Sequence, residues 1–314
     1  MPLDPPGDQS FRTTDPKVRE REMTYAGALS FCRRRYGRDL AGIDVAVTGL
    51  PFDGAVTNRP GARLGPRAIR AASTQLAELL AFPFGFDPFE RLAVVDYGDA
   101  FLDPGEPLTI AEALRRHVAG IVDAGTFCLG LGGDHFVTYP CLQAHAARFG
   151  PLALVQFDAH SDTWTDVGQR LDHGTMFTRA VAEGLILPER SVQIGIRTVN
   201  PDDLGITVLD APWVHRHGVD AVLARVREVT GAHPVYLTFD VDCLDPAFAP
   251  GTGTPVVGGL STAQTLAILR ELNGRQIVGA DVVEVAPAYD VAEITALAAA
   301  TVAHDLIALL ARDR

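Results

Sequence analysis

The chain has 314 residues, 47% of them hydrophobic, and a formal charge of -12 at pH 7. That is enough for one large α/β domain or two small ones with a sizeable core. The acidity argues against a nucleic-acid binder, which needs a basic face. It is compatible with a cationic small substrate and equally with ordinary solubility. The four cysteines, Cys32, Cys128, Cys141 and Cys243, form no CxxC pair. No disulfide framework is implied, which suits a reducing compartment. No apolar run approaches about 20 residues, and the start "MPLDPPGDQSFRTTDPKVRE" lacks an apolar signal core. The expectation is a cytoplasmic protein without a membrane span.

Residues 1–20 read as an N-terminal arm and 21–314 as one domain. A helix is predicted from about 16 to 34. "IDVAVTGLP" reads as a buried strand, followed by the Gly/Pro-rich loop "FDGAVTNRPGARLG". "PRAIRAASTQLAELLA" has helical spacing, with Pro66 suited to a first turn. Then come the strand "RLAVVDYGD", the helix "TIAEALRRHVAGIVDAG", the strand "TFCLGLGGDH" and a helix stopping at Gly150. Strand candidates continue with "LALVQFD", "SVQIGI", "ITVLD", "PVYLTFDVD" and "QIVGADVVEV". Helices are expected near 175–184, 218–230, 261–273 and 291–311. Short apolar strands alternating with helix-length connections predict a three-layer αβα sandwich around a mostly parallel sheet.

In such sheets ligands bind outside the carboxyl ends of the strands. Those ends are where this chain turns polar. "LGLGGDH" closes on Asp134 and His135, "LVQFDAHSD" on Asp158, His160 and Asp162, "YLTFDVD" on Asp240 and Asp242, and "VGADVVEV" on Asp281 and Glu284. One Asp ending a strand is usually a turn former or a cap. Several such ends with multiple ligand-type groups are hard to explain that way. Asp158, Asp162, Asp240 and Asp242 carry four negative charges, which two divalent cations balance. Mostly oxygen donors with some imidazole suit Mn²⁺ better than a structural zinc. Two ions about 3.5–4 Å apart can share and ionise a water, the nucleophile of a hydrolase. No GxSxG, catalytic-Cys or Walker signature competes. The glycines of "GLGGDH" read as room for close backbone approach to the metals.

"GGDH", "DAHSDT", "HGTMF", "FDVDCLDPAFAPGTGTPVVGGL" and "GADVVEVAPAYDVAEITALAAAT" together resemble the ureohydrolases, the arginase and agmatinase family, and follow bacterial agmatinases closely. The resemblance runs from "GLPFDGAVTNRPGARLGPRAIR" to the last helix. It implies two Mn²⁺ per subunit. His135 and Asp162 would bind the first ion, His160 and Asp242 the second, with Asp158 and Asp240 bridging. It further implies His173 as proton shuttle, Glu284 as the carboxylate holding a substrate guanidinium, and Thr254 in a loop lining the site. The implied reaction is hydrolysis of agmatine to urea and putrescine by attack of a metal-bridging hydroxide. Glu284 would orient the guanidinium through paired hydrogen bonds. Asp162 or His173 would protonate the departing amine. A homo-oligomer, trimer or hexamer, is also implied.

The far end of the substrate is less defined. Arginases carry a Ser/Asn-rich loop after the DAHxD motif, and "TWTDVGQRLDHG" lacks it, so arginine is disfavoured. Asp166 is a candidate partner for the agmatine ammonium. Trp164 either walls the channel or belongs to the core. Arg59, Arg63 and Arg170 keep a guanidino acid, such as guanidinobutyrate, open as an alternative substrate. A related-fold one-zinc deacetylase needs fewer acidic ligands, and a non-catalytic scaffold predicts missing ligands. Asp134, Asp245 and Asp281 are expected to orient neighbours rather than bind metal. His145, His215, His217, His233 and His304 have no ligand-type context.

Overall fold

A computed structural model of the chain describes residues 24–165, 171–202 and 204–312. Among them run eight strands: β1 (Val45–Leu50), β2 (Val94–Asp99), β3 (Phe127–Gly132), β4 (Ala153–Phe157), β5 (Val192–Ile194), β6 (Thr207–Leu209), β7 (Val235–Asp240) and β8 (Ile277–Val283). They form one sheet in the order β2-β1-β3-β8-β7-β4-β5-β6. Every neighbouring pair is parallel. The α-helices are α1 (Gly65–Ser73), α2 (Pro88–Arg91), α3 (Ile110–Asp123), α4 (Thr138–Phe149), α5 (Met176–Ala182), α6 (Ala211–Thr230), α7 (Thr262–Arg270) and α8 (Ile294–Ala311).

Alternate strand residues face opposite sides of the sheet, so the apolar strands feed two cores. Val45 and Val47 pack with Ile69 of α1 and with buried residues of α6, α7 and α8. Ala46 and Leu50 pack with Leu114, Leu142 and Phe177 of α3, α4 and α5. This is the three-layer α/β sandwich expected from the strand–helix alternation. α8 is long and apolar enough to cross a membrane by length and composition alone, but 72% of it is buried inside the protein. It also carries the buried polar pair His304 and Asp305. It is the core helix of its layer.

Local chemistry sets several helix starts. The Asp210 carboxylate caps α6 by accepting from Trp213 N, and Pro212 stands in its first turn. Ser261 and Gln264 form a reciprocal capping box on α7.

Three expectations need correction. The helix predicted over 16–34 lies partly outside the described residues. Within them only a 3-10 turn, Phe31–Arg33, forms. Cys32 and Arg33 have φ of 44° and 53°. The backbone there is bound to other elements: Phe31 N donates to Asp96 Oδ2 at 2.7 Å and Cys32 N to Ser73 Oγ at 2.8 Å. Tertiary hydrogen bonds replace the helical ladder. Second, the helix expected near 218–230 begins at Ala211, because Asp210 and Pro212 start it seven residues earlier. Gly218, at φ 78° and ψ -179°, breaks it into two segments. Third, the helix read from 66 to 81 ends in a 3-10 turn at Leu76.

The strand order places the site. β3 and β4 are consecutive in sequence, yet β8 and β7 lie between them. The carboxyl ends of β3, β8, β7 and β4 therefore border one crevice, where a doubly wound sheet binds its ligand.

Candidate active site

Each of those four strands delivers part of the site. His135 follows β3, Glu284 follows β8, Asp240 ends β7 with Asp242 just beyond, and Asp158, His160 and Asp162 follow β4. Local backbone bonds fix one oxygen of several aspartates and leave the other to face its neighbours. Asp158 Oδ1 accepts from His160 N at 2.7 Å, and Asp240 Oδ1 from Asp242 N at 2.8 Å. Asp242 Oδ1 accepts from Ala159 N at 3.0 Å, which ties the β7 end to the β4 end. Asp162 takes a left-handed φ of 53°, an uncommon conformation for a non-glycine residue that clusters at functional sites.

Two side-chain clusters result. His135, Asp158 and Asp240 offer ligand atoms to one point, and Asp158, His160 and Asp242 to a second, so Asp158 belongs to both. His135 Nδ1 lies 3.0 Å from Asp158 Oδ2, 2.9 Å from Asp162 Oδ2 and 3.2 Å from Asp240 Oδ2. His160 Nδ1 lies 3.1 Å from Asp242 Oδ2 and 3.6 Å from Asp158 Oδ1. His135 Nδ1 makes no hydrogen bond of good geometry although it is fully buried. Its other nitrogen, Nε2, is 2.8 Å from Thr238 Oγ1. One ring nitrogen cannot satisfy three carboxylate oxygens, and four buried carboxylates repel one another. A cation among these atoms answers both demands, so the donor set is compatible with a metal site.

The acid–base behaviour of the metal-free cluster expresses the same frustration. Burial, then Asp242 and Asp158, push Asp240 well above the ordinary carboxylate range. Burial and then Asp158 push Asp162 up to about 6. Burial alone would raise Asp158 too, but hydrogen bonds from His135 and His160 hold it well below the usual range. Burial opposes the charged form of His160, yet Asp242 and Asp158 outweigh it and push that ring up to about 12.

Beside the clusters stands Glu284, 1% exposed and held at a left-handed φ of 65°. Its N donates to Gly133 O at 2.8 Å. Its Oε1 accepts from His135 N at 2.8 Å and lies 2.9 Å from His173 Nδ1. Its buried Oε2 has no hydrogen-bond partner. Burial disfavours the charged form of His173, but Glu284 more than compensates and pushes it up to about 9. Thr57 N donates to His173 Nε2 at 3.0 Å, with Thr57 Oγ1 at 2.7 Å. Thr254 Oγ1 donates to Asp242 Oδ2 at 3.2 Å. A cavity of about 400 Å³ opens beside Glu284, lined among others by Thr57, His160, Asp162, Trp164, His173 and Thr254. The Trp164 ring centroid lies 6.2 Å from that of His160, so Trp164 is in the cavity wall.

Other residues fall elsewhere. Asp166 and Arg170 lie outside the described residues. Arg63 pairs with Asp53, and Arg59 lies over the Tyr289 ring. Asp134 Oδ2 accepts from Ala55 N at 2.8 Å and braces the loop that carries Thr57, while Asp245 Oδ2 accepts from Gly258 N and Gly259 N and braces that turn. The glycines of "GLGGDH" make room for protein rather than for metals. A Cβ on Gly133 would lie 1.7 Å from Phe52 O, and one on Gly132 would lie 2.4 Å from Val283 Cγ1.

Sequence reasoning passed over four supporting residues. Gln156 Nε2 donates to Asp158 Oδ2 at 2.7 Å and to His160 O at 3.1 Å. Gln193, its partner across β4 and β5, donates to Gln156 Oε1 at 2.8 Å. Thr238 Oγ1 meets His135 Nε2, and Thr57 meets His173 Nε2 through both its N and its Oγ1. For three of them the signal was present: a buried amide or hydroxyl inside the otherwise apolar strands "ALVQF", "VQI" and "VYLTFD". Such groups stay buried only when hydrogen-bonded.

A parallel α/β sandwich with two acidic–imidazole clusters drawn from three strand mouths defines a class of proteins built around a metal-compatible crevice. The sequence profile of the Arginase family matches residues 43–308. The agmatinase of Chromobacterium violaceum is 61% identical over 291 residues, 92% of this chain and 90% of that protein. A crystal structure of a hypothetical agmatinase from Burkholderia thailandensis superposes with a TM-score of 0.96 at 59% identity, covering 98% of both chains. Proclavaminate amidino hydrolase from Streptomyces clavuligerus superposes with a TM-score of 0.87 at 39% identity, over 93% of this chain and all (100%) of that one. The chain belongs to the arginase family of ureohydrolases, and it is an enzyme of that family.

Proposed function

We propose that this enzyme hydrolyses the guanidinium group of agmatine, releasing urea and putrescine. The observation that carries the reading is Glu284. It is a buried carboxylate with one oxygen held by His135 N and His173 and the other without a partner, beside two clusters that fit cations. A planar guanidinium offers the N–H donors that such an oxygen lacks. The agmatinase relatives favour a substrate whose other end is also cationic.

The residues divide the work. His135, Asp158, Asp162 and Asp240 would hold one Mn²⁺, and Asp158, His160, Asp240 and Asp242 a second. When bound, such ions supply a water that ionises near neutral pH and positive charge for the developing tetrahedral centre. Glu284 orients the guanidinium carbon towards that crevice. Thr254 and Trp164 line the cavity along the substrate, and Asp166 is the proposed partner of the far ammonium. His173, with Asp162 as the other acid within reach, delivers a proton to the leaving amine, which cannot depart as an anion. We further infer that residues 21–314 act as one domain, and that the protein works in the cytoplasm as a homo-oligomer, trimer or hexamer.

The test is urea release after Mn²⁺ loading, with agmatine, 4-guanidinobutyrate and arginine side by side. Agmatine is expected to give by far the highest kcat/KM. Urea from the guanidino acid and none from agmatine would overturn the reading.

A further inference from the structure

His173 lines the cavity but is only 7% exposed, and both its ring nitrogens face protein groups, so a proton taken or given at either nitrogen passes by way of that partner. Its Nδ1 faces Glu284 Oε1 at 2.9 Å. Its Nε2 faces two groups of one residue, Thr57 N at 3.0 Å and Thr57 Oγ1 at 2.7 Å. A backbone N–H can only donate. It therefore matches a neutral ring, with the hydrogen on Nδ1 directed at Glu284 and the Nε2 lone pair directed at Thr57. A protonated ring carries a hydrogen on Nε2 and needs an acceptor there. The hydroxyl of Thr57 is the group at Nε2 able to play both parts. Thr57 itself is exposed, on the loop between β1 and α1, and lines the cavity.

We propose that Thr57 is a positioning residue of the reaction: its hydroxyl holds His173 in both protonation states and passes protons between the buried ring and cavity water. This rests on His173 being the proton carrier. In the exchange, the Oγ1 hydrogen moves to Nε2 while Oγ1 takes a hydrogen from a neighbouring water. The ring gains one proton, Thr57 is unchanged, and the counter-charge remains in solvent. The reverse sequence discharges the ring. The titratable groups acting on His173 are Glu284 beyond β8, Asp162 beyond β4 and Asp134 beyond β3. All three are acids, and they favour the cationic ring that Oγ1 accepts from.

Thr57→Val keeps the shape and the backbone N–H but deletes the hydroxyl, and Thr57→Ser restores it. With Mn²⁺-loaded enzyme and agmatine, Thr57→Val is expected to lower kcat about 10- to 100-fold, within the range for a proton-transfer partner, with KM changed less than about twofold. Without an acceptor at Nε2 the cationic ring is disfavoured. The alkaline limb of the kcat profile should therefore move to lower pH, and Thr57→Ser should recover most of both effects. Should the valine variant fold poorly, Thr57→Ala carries the same expectation. Wild-type kcat and pH profile in Thr57→Val, or equal losses in the valine and serine variants, would overturn the inference. His173→Asn separates the two layers. If it leaves kcat intact, the reading of His173 falls. If it abolishes kcat while Thr57→Val does not lower it, only the role of Thr57 falls.

Discussion

At the scale of single residues, Glu284 carries the most specific expectation. Its Oε2 is the buried acceptor without a partner, while its Oε1 is already shared by His135 N and His173. Glu284→Gln preserves the shape but replaces the charge. It should lower kcat/KM for agmatine by roughly 10²-fold or more, in line with losing a charge-assisted pair. Metal content measured by elemental analysis should be unchanged. Loss of metal in this variant would place Glu284 in the wrong role. The same carboxylate predicts a pH dependence of stability in the metal-free protein. His173 titrates at about 9 when folded, against an ordinary 6.5. Its stabilising contribution, at most roughly 3 kcal/mol by linkage, is therefore fully present below pH 6.5 and is lost as the pH rises through about 9. Thermal unfolding from pH 6 to 10 should show this fall in the wild type and a smaller one in Glu284→Gln. The position of Glu284 was legible because its motif was. Its left-handed φ and its link to His173 were not, because they depend on Gly133 and on a residue 111 positions away.

At the scale of elements, the close packing of β3, β8 and the loop after β1 decides where His135 sits. Gly133 N donates to Leu50 O and Asp134 N to Phe52 O, so that loop lies directly on the β3 mouth. Gly133→Ala would place a Cβ 1.7 Å from Phe52 O. Backbone on both sides cannot yield cheaply. The variant is expected to lose several kcal/mol of stability, a fall in Tm of about 10 °C or more, or to accumulate as insoluble protein. A Tm within 2 °C of the wild type would show that the loop moves freely. Helix caps should behave as ordinary local terms, with Ser261→Ala costing α7 about 1 kcal/mol in chemical denaturation. Strand existence and order along the chain were readable from apolar runs. Helix boundaries were less so: Asp210 and Pro212 start α6 early, and buried Asp96 captures the segment where a first helix was expected.

At the scale of the whole molecule, folding brings four carboxylates and two imidazoles from three strand mouths into a buried space, and that arrangement favours protons or metal ions in competition. His160, pushed up to about 12, and Asp162, pushed up to about 6, must shed protons before they bind a cation. Mn²⁺ affinity, measured by calorimetry with proton release followed in two buffers, should rise between pH 6.5 and 8.5. Because a bound ion stabilises the folded state by mass action, a chelator should lower Tm, and added Mn²⁺ should restore it. A Tm indifferent to both would count against a metal centre. The sequence by itself determined the α/β class, the strand mouths and the identity of the chemical groups, because apolar periodicity and strand-end motifs are local properties. Only the tertiary structure decided that Asp158 belongs to both clusters, that β8 and β7 stand between β3 and β4, and that Thr57 meets His173. Those relations join positions far apart in the chain, and the parallel sheet's crossovers, not local preference, bring them within hydrogen-bonding distance.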